Sequence, residues 1–261
     1  MTPAVLVVAG LDPSGGAGLL ADVEAIRAAG ARPLACASAI TVQTMSAVRS
    51  SHPLPVEQVV AQVEALAEEE GPIGAVKLGM LGSAAVARAL AALRDHPGLR
   101  DAAWVIDPVI RSSSGAALVD GGAAAYGPLL AAATVLTPNL AEVAALAGVV
   151  EPEGVEAMEA AGRRLLASGA ASVLVKGGHL EGAPVDLLVE PGGSRAFIGV
   201  RRPGTKRGTG CRLASHLAGR LAAGVGREEA AAEAKGYVFA YLGATDERLL
   251  PGAHPPRMAP R

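Results

Sequence analysis

Short apolar segments alternate along most of the chain with longer Ala-rich segments of helical period. Because strands buried on both faces read as continuous apolar runs, this alternation predicts a mostly parallel sheet covered by helices on both sides. The predicted strands are rich in Val, Ile and Leu and cover residues 5–9, 34–40, 75–78, 104–107, 134–136 and 172–175.

Helices are predicted between and after these strands. Strand-then-helix repeats with right-handed crossovers give a three-layer α/β/α fold. The predicted helices cover residues 18–29, 56–69, 83–94, 122–132, 141–146, 155–167, 211–223 and 227–242.

The alternation changes after residue 176. Two further strands, 185–189 and 195–200, are joined by Pro191-Gly192-Gly193, which predicts a small antiparallel hairpin at one sheet edge. The length of 261 residues fits one domain. We expect that domain over residues 1–250, followed by a flexible tail rich in Pro and Arg over 251–261.

Charge is nearly balanced along the chain. The formal net charge is −2 and neither sign forms a long block, which argues against a nucleic-acid partner. One basic cluster flanks a glycine loop, and it fits either local phosphate recognition or a solvated loop. Its members are Arg201, Arg202, Lys206, Arg207 and Arg212.

Cysteine content and the first residues indicate the compartment. Cys36 and Cys211 lack metal-site spacing and cannot form a framework of disulfides, which favours a reducing cytoplasm. The amino terminus lacks the basic segment and cleavage site of a signal peptide, and every apolar stretch is too short or too interrupted to span a bilayer. We therefore expect a soluble cytoplasmic protein without a membrane partner.

Polar residues that follow the strands are the candidates for a site, because ligands of open α/β sheets bind at the carboxyl ends of the strands. The first strand is followed by the Gly-rich segment 10–18, where the backbone can approach a ligand and a helix begins. A tight strand-to-helix connection is the alternative. After the second strand, Gln43 offers a donor and an acceptor to a heterocycle, or is simply a surface amide.

Oxygen ligands and a cation follow the later strands. Asp107, Asn139 and Glu142 suit a hydrated Mg²⁺ that also touches phosphates. Asn139 and Glu142 also have the spacing of a helix capping box, and both readings are compatible. Lys176-Gly177-Gly178-His179 places a cation beside two glycines, where either a phosphate chain or an ordinary turn fits.

The segment Gly208-Thr209-Gly210-Cys211 is the most specific element. Backbone N–H groups of a Gly-x-Gly turn that enters a helix form an anion hole suited to a phosphoryl group in transfer. Cys211 falls in the first helical turn, where we expect a stabilised thiolate that can accept a proton. A buried, inert cysteine is the alternative.

Taken together, these motifs resemble the ribokinase superfamily, and within it the hydroxymethylpyrimidine/phosphomethylpyrimidine kinases of thiamine biosynthesis. The resemblance runs in order from residue 8 to about residue 224. It is carried by Asp12 to Gly18 with Ala21-Asp22, Thr41-Val42-Gln43, Lys77-Leu78-Gly79-Met80-Leu81, Asp107-Pro108-Val109, Ser114-Gly115, Thr137-Pro138-Asn139, Lys176-Gly177-Gly178-His179 and Gly208-Thr209-Gly210-Cys211.

The resemblance implies a ribokinase-like kinase that uses ATP and Mg²⁺ to phosphorylate a hydroxymethylpyrimidine and then its monophosphate, and family members commonly form homodimers. It implies catalytic roles for Gly208, Thr209, Gly210, Lys176 and the candidate base Cys211. It implies nucleotide contacts from Asn139, Lys176, Arg207, Gly208 and Gly210, and metal contacts from Asp107, Asn139 and Glu142. It implies substrate contacts from Asp12, Gly15, Gly16, Ala17, Val42, Gln43, Met80 and Val109.

The chain departs from the family pattern near the substrate. The family usually has Ser at Leu11, Asn-Thr at Thr44-Met45, Ala-Lys-Ser-Gly over residues 112–115 (where Ser113 replaces the lysine), His at Arg207 and Thr at Arg212. These changes redistribute the charge available to phosphate. Related pyridoxal kinases also carry a cysteine at position 211, whereas sugar kinases carry aspartate. Two alternatives therefore stay open: a pyridoxal or other vitamin-precursor kinase, and a non-catalytic pyrimidine-sensing protein.

Overall fold

The computed structural model describes residues 2–112, 115–202 and 206–244, and within them nine strands form one sheet. The strands are β1 (Ala4–Leu11), β2 (Arg32–Gln43), β3 (Val48–Pro53), β4 (Ile73–Leu78), β5 (Ala103–Ile106), β6 (Val135–Leu136), β7 (Val173–Gly177), β8 (Val185–Glu190) and β9 (Gly193–Ile198). Their spatial order is β3-β2-β1-β4-β5-β6-β7-β8-β9. The expected tail and Ser113 lie outside the described residues.

The six predicted central strands pair in parallel, and β7, β8 and β9 form the predicted antiparallel edge. The helices are α1 (Gly18–Ala28), α2 (Val56–Glu69), α3 (Ala84–Ala92), α4 (Leu140–Ala147), α5 (Val155–Ala167), α6 (Thr209–Ala222) and α7 (Arg227–Gly243). Side chains of α2 to α5 build the apolar core on one face of the sheet, and those of α1, α6 and α7 build the core on the other. The three-layer α/β/α fold is therefore confirmed.

Two local predictions were wrong. Residues 41–43 were expected after the second strand, but they lie inside β2, because β3 pairs with them antiparallel. Residues 122–132 were expected to be an α-helix, but they form 3-10 turns. Pro128 inside this segment has no N–H for the hydrogen-bond ladder of an α-helix, which favours the shorter turns.

Helices α1 and α6 lie side by side and run in the same direction. The Ser215 hydroxyl donates to Asp22 Oδ1 at 2.7 Å. One turn further along both helices, a Cβ added to Gly219 would lie 3.5 Å from the carbonyl oxygen of Ile26. The amino termini of α1 and α6 consequently open at the same edge of the sheet. Within the described ranges, no helix has both the length and the apolar character needed to span a membrane.

Candidate active site

Two glycine-containing loops meet at the carboxyl edge of the parallel strands. The loop of residues 12–17 follows β1, and the turn of residues 208–210 begins α6. The Arg212 guanidinium donates to the carbonyl oxygen of Gly16 at 3.0 Å, and a Cβ added to Gly208 would strike the same oxygen. The loop predicted to bind substrate and the turn predicted to bind phosphate therefore line one site.

The turn at residues 208–210 has the geometry that an anion-binding loop requires. Gly208 is the N-cap residue of α6 with φ +69°, a left-handed conformation that glycine adopts without strain. The first N–H groups of a helix lack partners inside it, and the helix N-terminus carries partial positive charge. The Lys176 ammonium lies 3.0 Å from the position that a Cβ on Gly210 would take. The predicted anion hole thus has a cation against it.

Lys176 is held at this position by two acidic side chains. Its Nζ lies 2.6 Å from Asp107 Oδ1 and 4.0 Å from Glu142 Oε2. Burial would lower the pKa of Lys176, but Asp107 and Glu142 outweigh burial and raise it. The side chain consequently stays charged next to the glycine turn, where the resemblance places nucleotide phosphates.

The three residues expected to bind Mg²⁺ lie together, and each has one side-chain oxygen engaged within the protein. Asn139 Oδ1 accepts from the Glu142 N–H at 2.9 Å, and Glu142 Oε2 accepts from the Asn139 N–H at 2.8 Å, so the capping box is confirmed. Asp107 Oδ1 accepts from Lys176. Among the residues with described positions, no group of three or more His, Cys, Asp or Glu is placed to hold a metal. Binding of Mg²⁺ by Asp107, Asn139 and Glu142 stays a prediction.

Cys211 lies in the first turn of α6, where the Gly18 N–H donates to its sulfur. Burial raises the pKa of Cys211 to about 11, although Lys77 opposes this shift. The expected stabilisation of a thiolate was wrong in direction, because desolvation of the sulfur outweighs the helix terminus. At neutral pH the side chain is therefore a thiol.

Asp12 organises the loop that follows β1. Its Oδ1 accepts from the Ser14 N–H at 2.9 Å and the Ser14 hydroxyl at 2.6 Å, and its Oδ2 accepts from the Ala17 N–H at 3.1 Å. These bonds shape the backbone at Gly15 and Gly16. Direct contact of Asp12, Gly15, Gly16 and Ala17 with substrate stays a prediction.

The other residues predicted to hold substrate come from β2 and from the segments after β4 and β5. Gln43 ends β2 and is half-buried, whereas Val42 is exposed. Met80 is buried against the end of β1, since a Cβ on Gly10 would lie 2.6 Å from its sulfur. The Val109 carbonyl oxygen accepts from a buried tyrosine hydroxyl at 3.1 Å. Met80 thus packs on the last stretch of chain before the loop of residues 12–17.

The turn between β2 and β3 contacts the site from a third side. The Arg207 guanidinium donates to the Thr44 carbonyl oxygen at 2.6 Å, and its Nη2 lies 4.0 Å from Asp12 Oδ2. The Met45 sulfur lies 2.9 Å from the position that a Cβ on Gly16 would take. Arg207 therefore links the anion turn to both of the other loops.

Other members of the basic cluster stabilise the fold. Arg212 is only 2% exposed, pairs with Glu24 at 2.8 Å and lies 4.2 Å from the ring of Tyr241. Arg201 and Lys206 each donate to backbone carbonyl oxygens. The interpretation of Arg212 as part of the phosphate-binding charge was wrong, because its guanidinium is buried and paired inside the protein.

Sequence reasoning missed a buried ion pair beneath the site. Lys77 Nζ lies 2.8 Å from Asp22 Oδ1, and both side chains are fully buried. The Ser215 hydroxyl donates to the same carboxylate oxygen. The signal available was a lysine inside an apolar strand, together with an aspartate on the helix after the glycine loop.

Comparison with known proteins shows which sequence family this chain matches. A family model described as phosphomethylpyrimidine kinase matches residues 12–254. The hydroxymethylpyrimidine/phosphomethylpyrimidine kinase of Streptomyces coelicolor is 40% identical over 240 residues, which cover 90% of this chain and 87% of that protein. The similarity thus spans nearly the full length of both chains.

Two solved structures are similar over nearly the whole chain. Phosphomethylpyrimidine kinase from Clostridium difficile is 30% identical with a TM-score of 0.78, covering 93% of this chain and 100% of that one. An ADP complex of Bacillus subtilis pyridoxal kinase is 27% identical with a TM-score of 0.83, covering 97% and 98%. The ribokinase-like architecture is therefore shared with both kinds of vitamin kinase.

Proposed function

The chain belongs to the phosphomethylpyrimidine kinase family, and we propose that it phosphorylates 4-amino-5-hydroxymethyl-2-methylpyrimidine and then the resulting monophosphate in thiamine biosynthesis, with MgATP as the donor. One observation carries the proposal. The turn 208–210, with the Lys176 ammonium against it, lies directly against the loop 12–17. A phosphoryl donor and a small acceptor can therefore meet between two helix N-termini.

The glycine turn and Lys176 provide the electrostatic part of the reaction. Phosphoryl transfer depends mainly on positioning and on neutralising charge over the transferred oxygens. The N–H groups that open α6 and the ammonium of Lys176 supply that positive potential from fixed positions. Because neither group has to reorganise during transfer, their contribution is larger than in water.

The acceptor pyrimidine is proposed to lie on the loop after β1. Asp12 holds that loop in shape, Gln43 ends the neighbouring strand β2, and Met80, after β4, packs on Gly10 at the end of β1. The ring-edge hydrogen bonds of Gln43 and the apolar contact of Met80 suit a small aminopyrimidine. Arg207 borders the proposed pyrimidine site, because its guanidinium donates to the Thr44 carbonyl oxygen in the turn after β2.

Cys211 is the proposed acceptor of the proton that leaves the substrate hydroxyl. The hydroxyl oxygen forms a bond to the γ-phosphorus, the bond from that phosphorus to ADP breaks, and the proton passes to Cys211 in its thiolate form. Because the pKa of Cys211 is raised to about 11, only a small fraction is thiolate at neutral pH. The anion turn therefore carries more of the rate than the base does.

Mg²⁺ enters this proposal as part of the MgATP substrate. Asp107 and Glu142 lie beside Lys176 at the edge where the phosphates are placed. Both acids are partnered, so we propose that they act on the hydrated complex through water molecules and through the position of Lys176. Replacing Asp107 with Asn tests this proposal, since it should raise the Mg²⁺ concentration needed for half-maximal turnover.

A coupled assay of ADP release tests the activity. Purified protein is supplied with MgATP and, in separate reactions, hydroxymethylpyrimidine, its monophosphate and pyridoxal. Turnover on the first two compounds is expected. Absence of turnover on both would contradict the proposal.

A pyridoxal kinase activity is the second candidate. It is favoured by the structural similarity to the Bacillus subtilis pyridoxal kinase and by Met45, which touches Gly16 where the family usually has a polar residue. Higher kcat/KM on pyridoxal than on the pyrimidine would establish this candidate in the same assay.

A further inference from the structure

The ion pair of Lys77 and Asp22 lies in the protein interior beneath the site. Both side chains are fully buried, and the Nζ to Oδ1 distance is 2.8 Å. Lys77 belongs to β4, Asp22 to α1, and Ser215 of α6 donates to the same oxygen at 2.7 Å. The Asp22 carboxylate therefore joins α1 to both β4 and α6, where these two helices pack on the sheet.

Stability alone does not account for this pair. Desolvating two charges costs as much as their attraction returns, and apolar residues of similar volume are often equally stable. The second oxygen, Asp22 Oδ2, is buried without a hydrogen-bond partner among the described residues. The unpaired buried oxygen thus carries a desolvation penalty that a purely structural contact would not need.

The position of the pair relates it to the site. Because α1 and α6 run in parallel, Asp22 and Ser215 lie one helical turn beyond Gly18 and Cys211. The Lys77 ammonium also lies 2.7 Å from the position that a Cβ on Gly79 would take, directly before Met80. The cation therefore lies against Gly79, next to Met80, and is bound to the turn of α1 that follows Gly18.

We propose that Lys77 is a positioning residue for phosphoryl transfer: held by Asp22, its ammonium keeps α1 and α6 in register and fixes a positive charge beneath Cys211. The inference rests on the proposed function for its catalytic consequence, but its central test does not require turnover.

Several charged or titratable side chains act on Cys211 from the elements around it. Lys77 lowers the pKa of Cys211, while Asp22 and Asp107 raise it. Lys176 on β7 and Tyr126 are also coupled electrostatically to this thiol. Burial has the largest effect on the pKa of Cys211 and raises it, and Lys77 has the largest effect in the opposite direction. Loss of the Lys77 charge should therefore raise this pKa further and reduce the fraction of thiolate at a given pH.

The test measures the rate of alkylation of Cys211 by iodoacetamide between pH 7 and 10, without nucleotide or pyrimidine. Lys77→Met combined with Asp22→Asn removes both charges and retains the shapes and the hydrogen bond from Ser215. We expect alkylation at a given pH to slow by roughly three- to tenfold, since one pKa unit changes the thiolate fraction about tenfold. The Cys211→Ala variant shows which part of the measured alkylation belongs to Cys211.

The matched control is another ion pair that includes α6. Arg220 on α6 pairs with Glu233 on α7, farther from the site. Arg220→Met with Glu233→Gln should leave the alkylation profile of Cys211 unchanged. An unchanged profile in the folded Lys77→Met/Asp22→Asn protein, or an equal shift in the control protein, would overturn the proposal.

A single substitution covers the case in which the double variant does not fold. Lys77→Met alone removes the charge that lowers the pKa of Cys211 and leaves Asp22, which raises it, so alkylation should become slower. Unchanged or faster alkylation would count against the proposal. In turnover assays, the double variant should lose at least tenfold in kcat with KM for the pyrimidine within about twofold. If neither substrate is turned over by the parent protein, the alkylation result still decides the role of Lys77.

Discussion

Cys211 shows how two influences compete at one residue. Its place in the first turn of α6 favours a thiolate, while the desolvated surroundings of its sulfur favour the thiol, and the pKa is raised to about 11. The first influence can be read from the sequence, because Cys211 directly follows Gly208-Thr209-Gly210 at the predicted start of a helix. The second depends on side chains from other elements, and for this reason the direction of the shift could not be predicted.

Replacement of Cys211 by Ala tests its role as base. We expect kcat to fall by roughly 10²-fold, with a smaller change in KM, because general base catalysis contributes on this scale. In the parent protein, kcat should rise with pH between 7 and 9, since the thiolate fraction grows towards the pKa of about 11. Cys36→Ala, at the other cysteine, is the control. Equal turnover by the Cys211→Ala and parent proteins would remove Cys211 as the base.

Arg207 is the departure from the family pattern that bears on substrate affinity. Its bond to the Thr44 carbonyl fastens the turn after β2 over the loop of Asp12. Arg207→Gln should raise KM for the pyrimidine about tenfold, with a smaller change in kcat, because a charge-assisted hydrogen bond is lost. Steady-state kinetics measure both constants. Arg195→Gln, at an exposed ion pair, is the matched control, and an unchanged KM for Arg207→Gln would contradict this role.

At the scale of elements, the packing of α1 against α6 depends on small residues at the contact. A Cβ added to Gly219 would lie 2.5 Å from the Cβ of Ala29, whereas one added to Gly236 on α7 would meet nothing within 4 Å. Gly219→Ala should therefore destabilise the protein by about 1–3 kcal/mol. Gly236→Ala should stabilise it by about 0.5–1 kcal/mol, because alanine loses less backbone entropy in a helix. Urea unfolding measures both, and destabilisation by both would contradict the packing argument.

The elements that the sequence predicted well are those whose own pattern determines them. Helices α2 and α5 have the predicted bounds, since amphipathic periodicity marks their full length. Strand β3 was missed because Val48–Pro53 is polar and forms a strand only through pairing with β2. The 3-10 segment was missed because Ala-rich composition outweighed the single signal of Pro128.

At the scale of the whole molecule, the edge that carries the site was predictable, and the partners of its charged groups were not. Parallel strand order places Asp107, Asn139 and Lys176 together from sequence alone. That Lys176 pairs with Asp107, and that Arg212 is buried against Glu24, depends on distances between segments far apart in the chain. The sequence pattern within a single segment does not determine such distances.

Acid should destabilise the folded molecule through His216, which is buried and stacked on Tyr237 at 4.7 Å. Burial lowers the pKa of His216 from 6.5 to about 4. The unfolded chain therefore binds more protons between these values, and the stabilising contribution is complete above pH 6.5 and lost as pH falls towards 4. The loss approaches about 3 kcal/mol.

Comparison with His216→Phe isolates this contribution. Burial raises the pKa of Glu142 to about 7, which acts in the opposite direction over an overlapping pH range, so only the difference between the two proteins is informative. The free energy of unfolding, measured by urea titration from pH 7.5 to 4.5, should fall less steeply in the variant. His52→Phe on the surface should follow the parent protein. Parallel curves for His216→Phe and the parent would contradict the assignment.

The contact between α1 and α6 also determines when the site becomes complete during synthesis. Among the helices of the described residues, α1 is the first and α6 the next to last. At typical translation rates, about ten seconds or more separate their emergence from the ribosome. Until α6 folds against α1, the Asp22 carboxylate lacks the hydrogen bond from Ser215. The site is therefore complete only once α6 has folded against α1, and the proposed phosphorylation requires a chain synthesised at least through α6.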